Sequence, residues 1–136
     1  MTTRRLDVSP INLYVLIATG IALIGYAGAS ILVSSSPDWW GLVVLTLVAF
    51  LLEVSSTRLR TGEASGSISF LAHLASLVLF DPFWAATIAG SSTLLGQIVE
   101  RKPFVRVTFN TSQRTLAVLL AGMVYRLTGG SVPLSL

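Results

Sequence analysis

The chain has 136 residues, of which 53% are hydrophobic and 11% are charged, and its net charge is +3. A soluble domain carries about a quarter charged residues, and a small domain has a large surface to solvate. The composition therefore argues against an ordinary soluble domain and predicts an integral membrane protein. The absence of cysteine excludes disulfides, thiolate catalysis and cysteine-ligated metals.

Five apolar segments are each predicted to form a membrane-crossing helix. The first covers residues 11–33 and the second covers residues 40–56. The third and fourth lie in ISFLAHLASLVLF and FWAATIAGSSTLLGQIV, separated by Asp81 and Pro82, where the proline predicts a tight helical hairpin. The fifth covers residues 109–127. Because a span needs roughly 20 apolar residues, we expect an all-α, polytopic transmembrane helix bundle of about five spans, the third being the shortest.

Cationic side chains alternate with these segments and predict their orientation. Cations precede the first helix and occur in the connections after the second and fourth helices, whereas the other two connections carry an aspartate each and no cation. The positive-inside rule then places the N-terminus in the cytoplasm. The predicted topology anchors are Arg58, Arg60, Arg101, Lys102 and Arg106. Arg126 lies near the outer end of the fifth helix, and we expect it to snorkel to the membrane surface.

The predicted organisation has three parts: a cytoplasmic N-terminal segment at 1–10, a single transmembrane domain at 11–130 and a tail at 131–136. Two arginines, an apolar stretch and an Ala-Gly-Ala motif at 27–29 also imitate a signal peptide. We expect the first helix to be retained as a span. The expected location is the bacterial cytoplasmic (inner) membrane, with multiple passes.

Small residues spaced by four along the helices predict close helix contacts. Helices in lipid associate through tight packing, because lipid tails are as apolar as leucine. One interpretation is packing within the bundle, and the other is contact with a partner protein, for which the first helix is the best candidate. The predicted packing or partner face comprises Gly20, Gly25, Gly28, Ala86, Gly90, Ala117 and Ala121.

Polar side chains within the spans concentrate in the predicted inner leaflet. An ionisable group inside a span is costly and is a candidate functional residue. One interpretation is a network of hydrogen bonds that holds helices together; the other is a ligand pocket in which Glu53 and His73 form a pH-sensitive pair. The predicted inner-leaflet polar network comprises Glu53, His73, Gln97, Asn110, Gln113 and Arg114. One histidine with scattered carboxylates is too small a ligand set for a metal site.

No catalytic or nucleotide-binding motif occurs in the sequence. The single histidine lacks a Ser-His-Asp setting, the acidic residues form no carboxylate pair, and the glycines form neither GxGxxG nor a Walker motif. We therefore expect a protein that is not an enzyme, has no evident cofactor and binds no nucleic acid.

The order of several segments resembles a known architecture. GSISF, the Asp-Pro hairpin, FWAATIAGS, ERKPFVR and FNTSQRTLAVLLAGMVY follow one another. Over about residues 40–130 this resembles the N-terminal multi-helix membrane region of bacterial signalling proteins with HD-type phosphohydrolase or diguanylate-cyclase (GGDEF) output domains. The most specific part is formed by Phe109, Asn110, Gln113, Val124 and Tyr125. The resemblance implies a membrane bundle, but no output domain follows the fifth helix in this sequence.

Three functions are consistent with these observations. The first is a non-enzymatic accessory or scaffold subunit of a larger bacterial membrane complex of respiratory or photosynthetic type. The second is a detached sensor or signalling bundle that binds a small ligand or lipid, and the third is a transporter substrate-binding subunit. The expected partners are membrane lipids and other integral membrane subunits.

Overall fold

The computed structural model describes residues 10–33, 36–58 and 68–130, with the backbone alone at 56–58. Over these residues the chain is all-α. Its five helices are α1 (Pro10–Ile31), α2 (Trp39–Arg58), α3 (Ser69–Leu79), α4 (Pro82–Val99) and α5 (Phe104–Leu127). Most of the predicted N-terminal segment, the predicted tail and Arg60 lie outside the described residues.

Helix α4 lies at the centre of the bundle and contacts each of the other four helices. Helix α1 packs on α5, and α2 packs on α3. Within the described ranges α1 and α2 make no contact, although they are consecutive in the chain. The bundle is therefore organised around α4, whose Ala85, Ala86 and Ala89 are completely buried.

The interior of the bundle is built from small side chains and its exterior from large apolar ones. Seven of the 13 buried hydrophobic residues are alanine, and five serines and threonines are buried with them. By contrast, Leu16, Ile24 and Trp40 are between 71% and 81% exposed. A water-soluble domain normally buries its large apolar residues, whereas membrane helices place small residues at their contacts. Among the described residues, small side chains therefore line the helix contacts and large apolar side chains lie on the surface.

The predicted hairpin between α3 and α4 is present. Helix α3 ends at Leu79, and Pro82 occupies the first turn of α4, where the missing backbone N–H of proline is not needed. The carbonyl of Asp81 accepts the first α4 bond from the Ala85 N–H, at 2.9 Å. This turn reverses the chain within two residues and brings α3 and α4 side by side.

The Asp81 side chain, which is only 3% exposed, forms an ion pair with Arg126 in the last turn of α5. The expectation that Arg126 snorkels stays a prediction, and its side chain is 35% exposed; its pairing with Asp81 was not predicted. The reason for the pairing is the close approach of α5 to the hairpin, which places its last turn over the buried carboxylate. Removing one partner of a buried pair leaves an uncompensated charge, so the pair fixes the end of α5 to the start of α4.

Helix lengths differ from the predicted spans. Helix α5 begins at Phe104 rather than at residue 109, and α3 has 11 residues, about 16 Å at 1.5 Å per residue. A hydrocarbon layer is about 30 Å thick, so α3 is too short to cross it by itself.

Among the described helices, α1 alone is both long and apolar enough to cross a membrane, and it is near the N-terminus. Only 17% of the most apolar part of α1 is buried, which argues against the core helix of a soluble domain. A membrane anchor and a signal sequence both fit this helix on length and composition.

The contact of α5 with the hairpin depends on Gly122. A Cβ placed there would lie 2.8 Å from Cβ of Pro82 and 3.0 Å from Cδ2 of Leu77, whereas a Cβ on Gly28 of α1 would meet nothing within 4 Å. We expect Gly122→Leu to lower the free energy of unfolding by about 1–3 kcal/mol through overpacking. The matched variant Gly28→Leu should not lower it, because leucine has the higher helix propensity. Thermal unfolding in detergent, followed by circular dichroism, measures both; equal midpoints would contradict this packing.

Candidate functional site: a polar cavity between α2, α4 and α5

Five of the six residues of the predicted polar network lie around one cavity of about 410 Å³. Helix α2 forms one wall, α5 forms another and α4 lies between them. The cavity is lined by Glu53, Thr93, Gln97, Asn110, Gln113, Arg114 and Ala117. Thr93 was not among the residues predicted for the network, and Ala117 was predicted as a packing residue.

Helical periodicity explains how α4 and α5 deliver these side chains. Residues three or four apart share a helix face, as Asn110 and Gln113 do. Ala117 follows Gln113 by four residues, and Gln97 follows Thr93 by four. Arg114 lies on a neighbouring face of α5, yet it also lines the cavity, so the opening extends around α5 beyond a single face.

Two hydrogen bonds connect the helices at the cavity wall. The Asn110 side chain donates from Nδ2 to Oε1 of Gln97, at 3.2 Å, and joins α5 to α4. The Ser69 hydroxyl donates to Oε2 of Glu53, at 2.5 Å, and joins α3 to α2. Gly96 allows this arrangement, because a Cβ there would lie 2.9 Å from Cγ of Glu53. The carboxylate of Glu53 is thus held in place by the first residue of α3.

His73 lies apart from the cavity lining. It is 1% exposed, and its Nε2 forms a 3.2 Å hydrogen bond with the hydroxyl of Ser92 on α4. Its Nδ1 has no hydrogen-bond partner in the part of the chain that the structure describes. His73 and Glu53 have different hydrogen-bonding residues, Ser92 and Ser69, and His73 is not among the residues that line the cavity. Their action as a pH-sensitive pair stays a prediction.

Three cavity side chains have bonding capacity that the described residues do not use. Within those residues, neither Gln113 nor Arg114 makes a side-chain hydrogen bond or an ion pair. Thr93 is 2% exposed, and its Oγ1 has no partner in the described ranges. A buried polar atom without a partner costs free energy. A bound molecule that formed a hydrogen bond with the Thr93 hydroxyl would remove this cost.

The chemistry of this lining suits a polar or charged small ligand. It combines a guanidinium, a carboxylate, three amides and a hydroxyl. Among the described residues, no group of three or more histidines and acidic residues could hold a metal ion. The arrangement can recognise separate positive and negative charges on one molecule, because Glu53 and Arg114 belong to different helices.

The predicted packing residues divide into two groups. Gly25 faces Leu119 of α5, Ala86 is completely buried, and a Cβ on Gly90 would lie 2.5 Å from Oγ1 of Thr115. These three hold the bundle together. Of the remainder, Gly28, Ala117 and Ala121 are exposed, and Gly20 is half-buried with no neighbouring helix within 4 Å of a Cβ placed there.

The predicted topology anchors cluster at the end of the bundle that holds the cavity. Arg101, Lys102 and Arg106 lie in or beside the α4–α5 connection, and Lys102 pairs with Glu100 at 3.2 Å. Arg101 adopts a positive φ of 54°, which the sharp reversal of the chain requires. Arg58 ends α2, and its side chain lies outside the described part of the structure.

The sequence matches no family model, no curated protein and no solved structure. The resemblance to the membrane region of HD-type and GGDEF signalling proteins therefore stays a prediction based on residue order.

Adjacent residues of α4 provide a test of the unused hydroxyl. We expect Thr93→Val to keep or raise the free energy of unfolding of the ligand-free protein, because it removes an unpartnered buried hydroxyl without changing shape. Ser92→Ala should lower it by about 1–3 kcal/mol, because it leaves Nε2 of His73 without its partner. Unfolding midpoints of the two variants in the same detergent measure the difference. A larger loss for Thr93→Val than for Ser92→Ala would show that Thr93 has a structural partner.

Proposed function

We propose that the chain is a non-enzymatic, multi-pass integral membrane protein that acts as an accessory or scaffold subunit of a larger bacterial inner-membrane assembly. The observation that carries the proposal is the distribution of side chains, with large apolar groups outside and small ones inside. Soluble proteins rarely expose continuous apolar patches larger than a few hundred Å², whereas hydrocarbon covers such a surface at no cost.

Exposed apolar side chains occur on helices other than α1. Leu71 of α3 is 64% exposed, Ile98 of α4 is 56% exposed and Val124 of α5 is 58% exposed. This favours hydrocarbon contact by the whole bundle rather than by a single anchor. The short α3 is compatible with this setting, because a backbone at membrane depth is tolerated where protein surrounds it.

Polar contacts fasten α1 into the bundle and favour its retention. The hydroxyls of Tyr26 and Thr87 form a 2.7 Å hydrogen bond, and Ser112 donates to the hydroxyl of Thr19 at 3.1 Å. A signal peptide is removed from the mature protein, so its side chains would not contribute hydrogen bonds to the folded bundle. These contacts support α1 as a permanent span of the bundle.

The uncovered small residues support the role as a subunit. A Cβ placed on Gly20 or on Gly28 of α1 would meet no atom of the described chain within 4 Å. Small residues let the backbone of a neighbouring helix approach closely. A transmembrane helix of another protein is the kind of partner that this face would accept.

A second candidate function is that of a sensor bundle that binds a small ligand or lipid in the inner leaflet. The polar cavity favours it, because a carboxylate, a guanidinium and three amides surround it beside the unpartnered hydroxyl of Thr93.

Cysteine labelling tests the multi-span topology, since the natural chain contains no cysteine. We expect Ser36→Cys to react with a membrane-impermeant maleimide in intact cells, and Lys102→Cys to react only after lysis. The reason is that an odd number of crossings, by α2, α3 and α4, separates the two positions in the proposed topology. If α1 were the sole span, both positions would lie on the same side and would label alike.

Gentle extraction from the native membrane tests the role as a subunit. We expect mass spectrometry to identify integral membrane proteins in fixed stoichiometry with this chain. Gly28→Leu should reduce their recovery, because it fills the open face of α1, while the purified bundle stays as stable as the wild type. Ile24→Leu, on the same side of α1, is the matched control. Recovery of the chain alone from native membranes would overturn the proposal.

A further inference from the structure

The two charged residues of the polar cavity lie on different helices. Arg114 comes from α5, and Glu53 comes from α2. A ligand with one charge would be attracted by one of these groups and repelled by the other. The lining is therefore complementary to a zwitterion, with its anionic oxygens at Arg114 and its cation at Glu53.

The neutral groups of the lining indicate which kind of anionic group the ligand would carry. Gln113 carries amide donors, and the unpartnered hydroxyl of Thr93 is a donor as well. Together with the planar guanidinium of Arg114, they offer several hydrogen bonds to one ligand. A phosphate has enough oxygens to accept these bonds, and an arginine fork matches its geometry.

The side chains around Glu53 indicate which kind of cationic group the ligand would carry. A primary ammonium donates three hydrogen bonds, which carboxylate and amide oxygens such as those of Glu53 and Gln97 accept. A quaternary ammonium donates none and is usually recognised by aromatic rings. The side chains that line this cavity include no aromatic residue. The cavity therefore favours a primary over a quaternary ammonium.

We propose that the polar cavity binds a phosphoethanolamine group, with the phosphate at Arg114, Gln113 and Thr93 and the ammonium at Glu53. This inference rests on the second candidate function and gives its ligand class. A phospholipid headgroup and a soluble phosphoethanolamine ester share this chemistry.

The position of the cavity assigns the group to a lipid. Gln97 is three residues from the C-cap of α4 at Glu100, and the basic α4–α5 connection follows it directly. In the proposed topology this is the depth of the cytoplasmic headgroups. From Gln113, the exposed small residues Ala117 and Ala121 continue along the same face of α5 at four-residue intervals. They form a shallow path on which an acyl chain can lie.

Competition between lipids tests the proposal. The purified protein is incubated with vesicles of equal parts phosphatidylethanolamine, phosphatidylcholine and phosphatidylglycerol, and retained lipid is identified by native mass spectrometry. We expect phosphatidylethanolamine to be retained about tenfold over each of the others, which is the discrimination expected from one charged hydrogen-bonding contact. Phosphatidylcholine tests whether the ammonium must be primary, and phosphatidylglycerol, which has no ammonium, tests whether a cation is needed.

Two variants and two matched controls locate the site. Arg114→Gln should reduce retention of phosphatidylethanolamine about tenfold, and Glu53→Gln should abolish its preference over phosphatidylglycerol. Arg106→Gln on the same helix and Glu100→Gln at the end of α4 remove the same charges outside the cavity, and they should change neither. Helix content and elution volume establish that each variant is folded. If Glu53→Gln does not fold, the comparison of Arg114→Gln with Arg106→Gln decides the test.

The outcomes separate this inference from the function on which it rests. Equal retention of all three lipids, or unchanged selectivity in Arg114→Gln, overturns the headgroup assignment. A preference for phosphatidylglycerol lost in Arg114→Gln also overturns it, but leaves a ligand-binding bundle. Retention of no lipid, with no calorimetric binding of glycerophosphoethanolamine, overturns both. Equal binding of glycerophosphoethanolamine and the lipid keeps the recognised group and identifies a soluble source.

Discussion

The bundle depends on the close approach of its helices to α4. In the proposed membrane setting, a helix gains little by hiding a leucine from lipid, so its contacts come from surfaces that fit at short distance. Helix α4 provides this on several sides with Ala85, Ala86, Ala89 and Gly90, while its larger apolar side chains near the other end face outward. The neighbouring helices could not all touch α4 if leucines occupied these positions. The polar cavity exists because α2 and α5 are held on the same central helix.

Several half-buried hydroxyl groups at the helix contacts bond within their own helix. Thr87 donates to the carbonyl of Phe83, Ser91 donates to that of Thr87, and Thr115 donates to that of Thr111. Such bonds satisfy the hydroxyl without a partner on another helix. The buried hydroxyls of Thr93 and Thr111 have no partner among the described residues, and of the two Thr93 lines the cavity of charged and amide groups.

Much of this arrangement was predictable, because it follows from local patterns. Apolar stretches bounded by polar residues predicted five helices, and Asp81 with Pro82 predicted the hairpin. The convergence of Glu53 with the amides of α4 and α5 followed from their equal depth. Other features depend on tertiary contacts, which periodicity does not encode. The pairing of Arg126 with Asp81 requires that α5 end beside the hairpin. Thr93 has no distinguishing pattern in the sequence, and its role becomes visible only when the packing of α2 and α5 on α4 forms the cavity.

The lack of contact between α1 and α2 has a consequence for biogenesis. Within the described residues, α1 touches only α4 and α5, and the hydrogen bond at its Thr19 comes from Ser112, far along the chain. In the proposed topology, α1 therefore enters the bilayer during synthesis without a neighbour from the described bundle until α4 has been made. Of the described helices, it is also the one whose length and apolarity suffice for crossing a membrane unaided. In the proposed topology, the order of synthesis and the hydropathy of α1 thus agree. The helix that is made well before its neighbours is also the one whose own apolarity suffices for insertion.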